Sequence, residues 1–449
     1  MKKSIALLLA VLMLPAITAC QPAASTPEVP ATDATASAEP ASVETAAEKE
    51  PVTLKFFHWQ SEISEQIDEV ISGFEKQYPW ITVEQEIIPT TDWATVAAAR
   101  VAGNDPLDIM GVQPWSDAAS QTPSFYENNF LMSLEDLACV KNFDAATLSD
   151  DVRTNGVLTS LPLSAQAMVV FYNKDIFQQY NISVPTTWSE FMAACETLKT
   201  NGVAPIAVGG KDGWPISNLG TALFSTIALS GNDGYALIDA ISSGEKTWAD
   251  IGYDKIMQCY ADITSNGYWY GDPLATAYAD APVIFGTGKC AMYEDGSWSA
   301  TQIADCEPTF EVGVFRLNGT EDAAMTNIGV KYGMTVGIAS RTEHPEESKL
   351  FVEYLFSSDV YPAFAESCKY LPTEAGAACT DPLTNAIKEL IDNSTVVPFN
   401  ATFSASKEAA GMYYGTTGSI QGLVAGEFTI EQALADMQKK TDDSLALMK

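Results

Sequence analysis

The chain of 449 residues carries a formal net charge of −34 and a sequence pI near 4.2, which argues against nucleic acid and anionic membrane surfaces as partners. Hydrophobic residues make up 47% of it, enough for large cores in two to three domains. With only Arg100, Arg153, Arg316 and Arg341 as arginines, a site built on guanidinium forks for phosphate or carboxylate is disfavoured.

The chain opens MKKSIALLLAVLMLPAITAC. Lys2-Lys3, a short apolar run and a small-residue ending read as a secretory leader, too short for a membrane span. Its ending resembles a bacterial lipobox, so residues 1–19 are expected to be cleaved and Cys20 to receive lipid. The plainer alternative is an ordinary leader with a chance cysteine. Residues 20–50 are rich in Ala, Pro, Ser, Thr and Glu without an aromatic ring, the composition of a disordered tether. The expected location is extracytoplasmic, lipid-anchored to the cell membrane, with the lipid as the only membrane contact. No other stretch is long and apolar enough to span a bilayer.

The body starts at Pro51. VTLKFFHW reads as a first strand, and Ile63, Ile67, Val70, Ile71, Phe74 and Tyr78 have helical spacing that Pro79 stops. WITVEQEII is the next strand, a helix with Ala97, Ala98 and Val101 closes at Gly103, and LDIMGV is a third strand. This β-α-β-α-β order implies a mainly parallel sheet with helices on its faces. AMVVFYN begins a second region of the same kind. Thr187 and Glu190 form a capping box for a helix through Phe191, Met192, Cys195 and Leu198. VAPIAVG and KCAMY are further strands, and residues 215–282 between them read as mostly helical. GMTVGIA, the helix PEESKLFVEYLF and a final helix opened by Thr429 and Gln432 complete the chain.

Open parallel sheets bind ligands at the carboxyl ends of their strands. Four such places hold a tryptophan beside an amide, acid or hydroxyl: Trp59-Gln60, Trp115-Ser116-Asp117, Asp212-Gly213-Trp214 and Asp295-Gly296-Ser297-Trp298. Flat rings with hydrogen-bonding neighbours suit sugars, which present C–H faces and a rim of hydroxyls. Each ring has a plain alternative as core packing, and Trp115 is evenly balanced between the two. Glu294 and Asp295 could be paired catalytic acids, but strand neighbours point to opposite faces, which favours turn roles. His58 and His344 are the only histidines, no nucleophile elbow is present, and no spacing signals a metal or cofactor. Cys139, Cys195, Cys259, Cys290, Cys306, Cys368 and Cys379 remain beyond the leader. Disulfides are permitted outside the cytoplasm, and Cys290–Cys306 and Cys368–Cys379 are the preferred pairs.

LPLSAQAMVVFYNKDIFQQYNISVPTTWSEF and FGTGKCAMYEDGSW, in this order behind a lipobox, resemble the extracellular solute-binding proteins of ABC transporters, the sugar-binding branch that includes maltose-binding protein. The resemblance runs from about residue 52 to 449. It implies an α/β, two-lobed periplasmic-binding-protein-like fold, each lobe a mostly parallel sheet flanked by helices, with a hinge between. By this analogy lobe one is 52–161 plus 316–370 and lobe two is 162–315 plus 371–449. The resemblance places Gln166 on the interlobe strand that reaches the ligand, Trp298 at a stacking position and Trp214 in a ring-bearing loop. It places Tyr413-Tyr414 in the late cleft-lining region, where plain helix packing is the even alternative. Trp59, Gln60, Trp115 and Asp117 fall in the first lobe's ligand loops, and Asp295 is positioned to accept a sugar hydroxyl. NIGVKYG at 327–333 stands where the family often has a Gly-Gly turn; the pair is absent, and Lys331 or Tyr332 could take over its contacts.

The expected function is therefore a non-enzymatic, monomeric receptor that hands a sugar, on its ring count an oligosaccharide, to ABC permease subunits. Other readings stay open: a receptor for a polyamine or other small polar solute, an extracellular glycoside hydrolase, or a surface adhesin.

Overall fold

The computed structural model describes residues 49–103, 105–114, 129–232, 234–398 and 417–446. The leader, Cys20, the tether to residue 48, Trp115, Asp117, Tyr413 and Tyr414 lie outside these residues.

The first lobe is built on a five-stranded sheet in the order Ile81–Ile87, Val52–His58, Ile109–Val112, Thr335–Ile338, Ser160–Pro162. The first three strands are parallel, and the last two each run against the neighbour before them. The helix Ser64–Gln77 buries Ile67, Val70, Ile71 and Phe74, the stripe its spacing predicts. It ends where the Tyr78 amide bonds the Phe74 carbonyl, one residue before Pro79. Phe351 meets Phe56 and Phe74 edge-on, with centroids 5.9 and 5.2 Å away.

The second lobe holds a six-stranded sheet. Its main order is Thr395–Pro398, Asn327–Tyr332, Ala165–Asn173, Cys290–Gly296, Ala204–Ala207, with Val312–Phe315 also paired to Ala165–Asn173. Both sheets are therefore mixed, beyond the parallel order expected. Parallel neighbours need a crossover connection. The central strand Ala165–Asn173 enters directly from the first lobe and is antiparallel to all three of its partners. The helix Trp188–Thr200 is capped as its sequence predicts: Thr187 Oγ1 accepts from the Glu190 amide at 3.2 Å, while Glu190 reaches back to the Thr186 amide at 2.8 Å. Thr429 and Gln432 cap the final helix reciprocally, at 2.8 and 3.3 Å. Among the described residues no helix is long and apolar enough to cross a membrane.

Two expectations change. The segment 316–370, expected whole in the first lobe, is divided: Asn327–Tyr332 hydrogen-bonds in the second sheet, to Ala165–Ala167 and Thr395–Pro398. The return crossing falls at Gly333, and Met334 is the next residue in the first core. The cysteine pairs are absent as well: all seven are free thiols. The Cys290 thiol donates to the Met292 carbonyl and that of Cys306 to the Gln302 carbonyl, each at 3.3 Å. Cys368 is buried in the first core, while Cys379 is only partly covered.

Thiol titration in denaturant without reductant should find all seven body cysteines reactive. A count lower by two would restore one of the expected disulfides.

Candidate functional site

The strand Cys290–Gly296 is buried at every position. It extends through Glu294 and Asp295, which are therefore strand residues rather than turn residues, and the chain turns in the short helix Ser297–Ser299. The Trp298 ring folds back over Gly296, where any Cβ would collide with it. Trp214 opens the helix Trp214–Ile227 instead of lying in a loop. Its ring is 6.4 Å from Trp298 and 4.5 Å from Tyr278. The Lys331 ammonium stands 5.5 Å from the Trp298 ring. Three rings from three elements thus form one wall at the end of the second sheet.

Asp295 lies beside this wall, 1% exposed. It accepts from Asn218 Nδ2 at 2.7 Å, the Tyr293 hydroxyl at 2.7 Å and Ser299 Oγ at 2.6 Å. Burial raises its pKa, and these donors pull against the rise. Glu294 differs. It is buried with neither carboxylate oxygen partnered, and burial, with the Asp295 charge adding, pushes its pKa well above the usual carboxylate range.

The first lobe meets this wall through the turn after Val52–His58. The short helix Ser61–Ile63 packs on the helix Ala300–Asp305, which follows Trp298. Burial raises the Glu62 carboxyl to about 7, and the Asp295 charge adds to the rise. The Glu62 charge is felt in turn by Tyr278 and Tyr370. Behind it the Tyr370 hydroxyl donates to Gln60 Oε1 at 3.3 Å. A second acid faces across the same junction: Glu65 helps burial to raise Asp305.

Of the residues the sequence singles out, the structure brings Trp214, Asp295 and Trp298 together and sets Gln60 on the facing turn. Gln166 is buried opposite Lys331 in register, its amide nitrogen 2.5 Å from where a Cβ on Gly333 would sit. Trp59 is core: its ring is 5.1 Å from buried Trp93. Tyr332 turns away from its neighbour Lys331, as strand alternation requires, and donates to the Ala146 carbonyl at 3.4 Å. Lys331 is the one of that pair at the Trp298 ring. Glu62, Tyr278 and Asn218 are the residues that sequence reasoning missed. Nothing local marks Glu62 among 58 acidic residues, and Tyr278 and Asn218 sat inside a region read only as helical. Among the described residues no cluster of three or more His, Cys, Asp or Glu could hold a metal ion.

Two α/β lobes with an aromatic wall on one and a polar turn on the other define the class of two-lobed ligand-binding receptors. The chain belongs to the bacterial extracellular solute-binding proteins, whose family model matches residues 59–362. It is 26% identical over 322 residues to the multiple sugar-binding protein of Streptococcus mutans, covering 69% of this chain and 72% of that one. It is 26% identical over 249 residues to the mannitol-binding protein of Pseudomonas aeruginosa, covering 52% of each. Among solved structures, a chitin oligosaccharide binding protein superposes with a TM-score of 0.74 at 24% identity, covering 88% of this chain and 99% of that one. The binding protein RafE in complex with raffinose gives 0.70 at 19% identity, covering 87% and 99%. The family places the body outside the cytoplasm.

The buried Glu294 yields a test. Its folded pKa lies above the unfolded value, so the folded state binds the extra proton. Stability from this group is full below the unfolded carboxyl range and is lost as pH rises toward the folded pKa. Glu294→Met should therefore raise the melting temperature more at pH 8 than at pH 5. An equal shift at both would mean the carboxylate is solvated or paired.

Proposed function

We propose that this protein is the sugar-capturing receptor of an ABC importer, binding a saccharide between its lobes and delivering it to the permease. The observation that carries this reading is the wall of Trp214, Tyr278 and Trp298 beside the fixed acceptor Asp295, facing Glu62 from the other lobe. Ring faces cover the C–H surface of a sugar while carboxylates accept hydrogen bonds from its hydroxyls. The multiple sugar-binding relative, and the neighbours that hold raffinose and bind chitin oligosaccharide, support a saccharide of more than one unit.

The receptor acts without catalysis. The oxygens of Asp295 are engaged by three donors from its own lobe, which suits a fixed acceptor better than a group that shuttles protons. Gln60 and Gln166, with Trp115, Asp117, Tyr413 and Tyr414 from the segments outside the described residues, complete the proposed ligand shell. The body works as a monomer, tethered through lipidated Cys20, with residues 52–161 of the first lobe and the long strand 165–173 of the second framing the cleft.

A thermal-shift panel of raffinose, chitin oligosaccharides, maltose, mannitol and spermidine tests the reading, because a ligand of the native state raises the melting temperature by mass action. A shift with a saccharide is expected. A shift with spermidine alone would make the acids of the cleft a polyamine site instead. Trp298→Ala should weaken the saccharide by roughly 2–4 kcal/mol in calorimetry, as for a buried aromatic anchor. Unchanged affinity in the folded variant would remove Trp298 from the site.

A further inference from the structure

The turn that carries Glu62 is held by a chain of hydrogen bonds that sugar binding does not itself require. We propose that His58, acting with Gln85, is a positioning residue for this turn: its neutral ring ties both ends of residues 60–64 to the first sheet and so sets where Glu62 meets the second lobe.

The direction of every bond in the chain follows from one donor. The Gln60 backbone N–H lies 3.1 Å from His58 Nδ1 and can only donate, so Nδ1 carries no proton. The ring proton is then on Nε2, which donates to Gln85 Oε1 at 3.0 Å. That fixes the Gln85 amide, whose nitrogen donates to the Ser64 carbonyl at 2.9 Å and to the Asp68 carboxylate. Gln60 opens the turn, and Ser64 is the first residue of the helix Ser64–Gln77. The relay thus joins the two ends of a short loop, with Glu62 midway between them.

The ring has little freedom to move. His58 is fully buried, its ring centroid is 4.6 Å from that of Phe56, and its Cβ would stand 2.8 Å from a Cβ on Gly111. Phe56 on its own strand, Gly111 on the neighbouring strand and Met334, which packs on Gly111, bring no charge. Gln85 on the other side is neutral, and Asp68 on the helix is the carboxylate that acts on the ring. Protonation would turn a second ring N–H against the Gln60 N–H. Burial already opposes it, holding His58 near 4 against the hydrogen bond to Gln85 and the Asp68 charge.

The purpose assigned to Glu62 rests on the saccharide reading, but the relay can be tested on the full chain with no sugar present. His58 and His344 are the only histidines, so His344→Gln leaves one imidazole to follow by NMR. The ring should show the Nε2–H tautomer and stay neutral at pH 5.5. Gln85→Glu sets a carboxylate against Nε2–H and should raise the ring's titration by about one pH unit or more. Protection of the Gln60 amide, measured against the Phe56 amide, should be lost with that titration and shift with it in Gln85→Glu. His58→Phe should speed exchange of the Gln60 amide about tenfold, the scale of one net hydrogen bond. An Nδ1–H tautomer, ordinary histidine titration, or Gln60 protection indifferent to the ring's charge would each overturn the proposal. If His58→Phe fails to fold, the Gln85→Glu titration decides alone.

Discussion

Three passages of backbone run side by side between the two sheets, and the two lobes are joined through them. The Leu163 amide bonds the Met334 carbonyl at 3.0 Å, Gly333 bonds Ser164 at 2.8 Å, and Ala165 bonds Leu371 at 3.0 Å. A ladder of this kind resists sliding, because sliding breaks several bonds at once, whereas rotation is taken up by a few torsions. Gly333 is the tightest point. A side chain there would meet Ser164 Oγ and Gln166 Nε2, both at 2.5 Å, so the ladder and the amide of Gln166 are packed as one unit.

What the ladder brings together is electrostatically costly. Glu62 and Glu65 on one lobe face Asp295 and Asp305 on the other, and burial raises three of the four carboxyls. Like charges in a half-dry junction oppose closure unless protons or donors intervene. A solute that arrives with many hydroxyl donors supplies such partners, and an anionic solute would add to the repulsion. The junction thus disfavours an anionic solute, while hydroxyl donors or a cation would each relieve it.

Much of the architecture was legible because it rests on periodicity and capping. The stripe Ile67, Val70, Ile71, Phe74 and the boxes at Thr187 and Thr429 are local codes, and they were realised where they were read. Strand direction was not legible, since Ala165–Asn173 has the same apolar run whether its neighbours are parallel or antiparallel. The ring cluster of Trp214 and Trp298 was legible because large rings at strand ends are few. Trp59 looked the same in sequence, and its fate was decided by Trp93, a partner more than thirty residues away. The choice between Lys331 and Tyr332 turned on a register that only pairing fixes. Glu62 has no local signature because its surroundings are set by the lobe it faces.

The unpaired cysteines carry a consequence for how such a chain matures. Burial pushes the thiols of Cys139, Cys259 and Cys290 up to about 12 and that of Cys195 higher still, so almost none exists as the nucleophilic thiolate. A body with no disulfide among its described residues needs no oxidase or isomerase to build one, and these four buried thiols are shielded once the fold has formed. Cys306 and Cys379, both partly covered, are the thiols an oxidant can reach in the folded body.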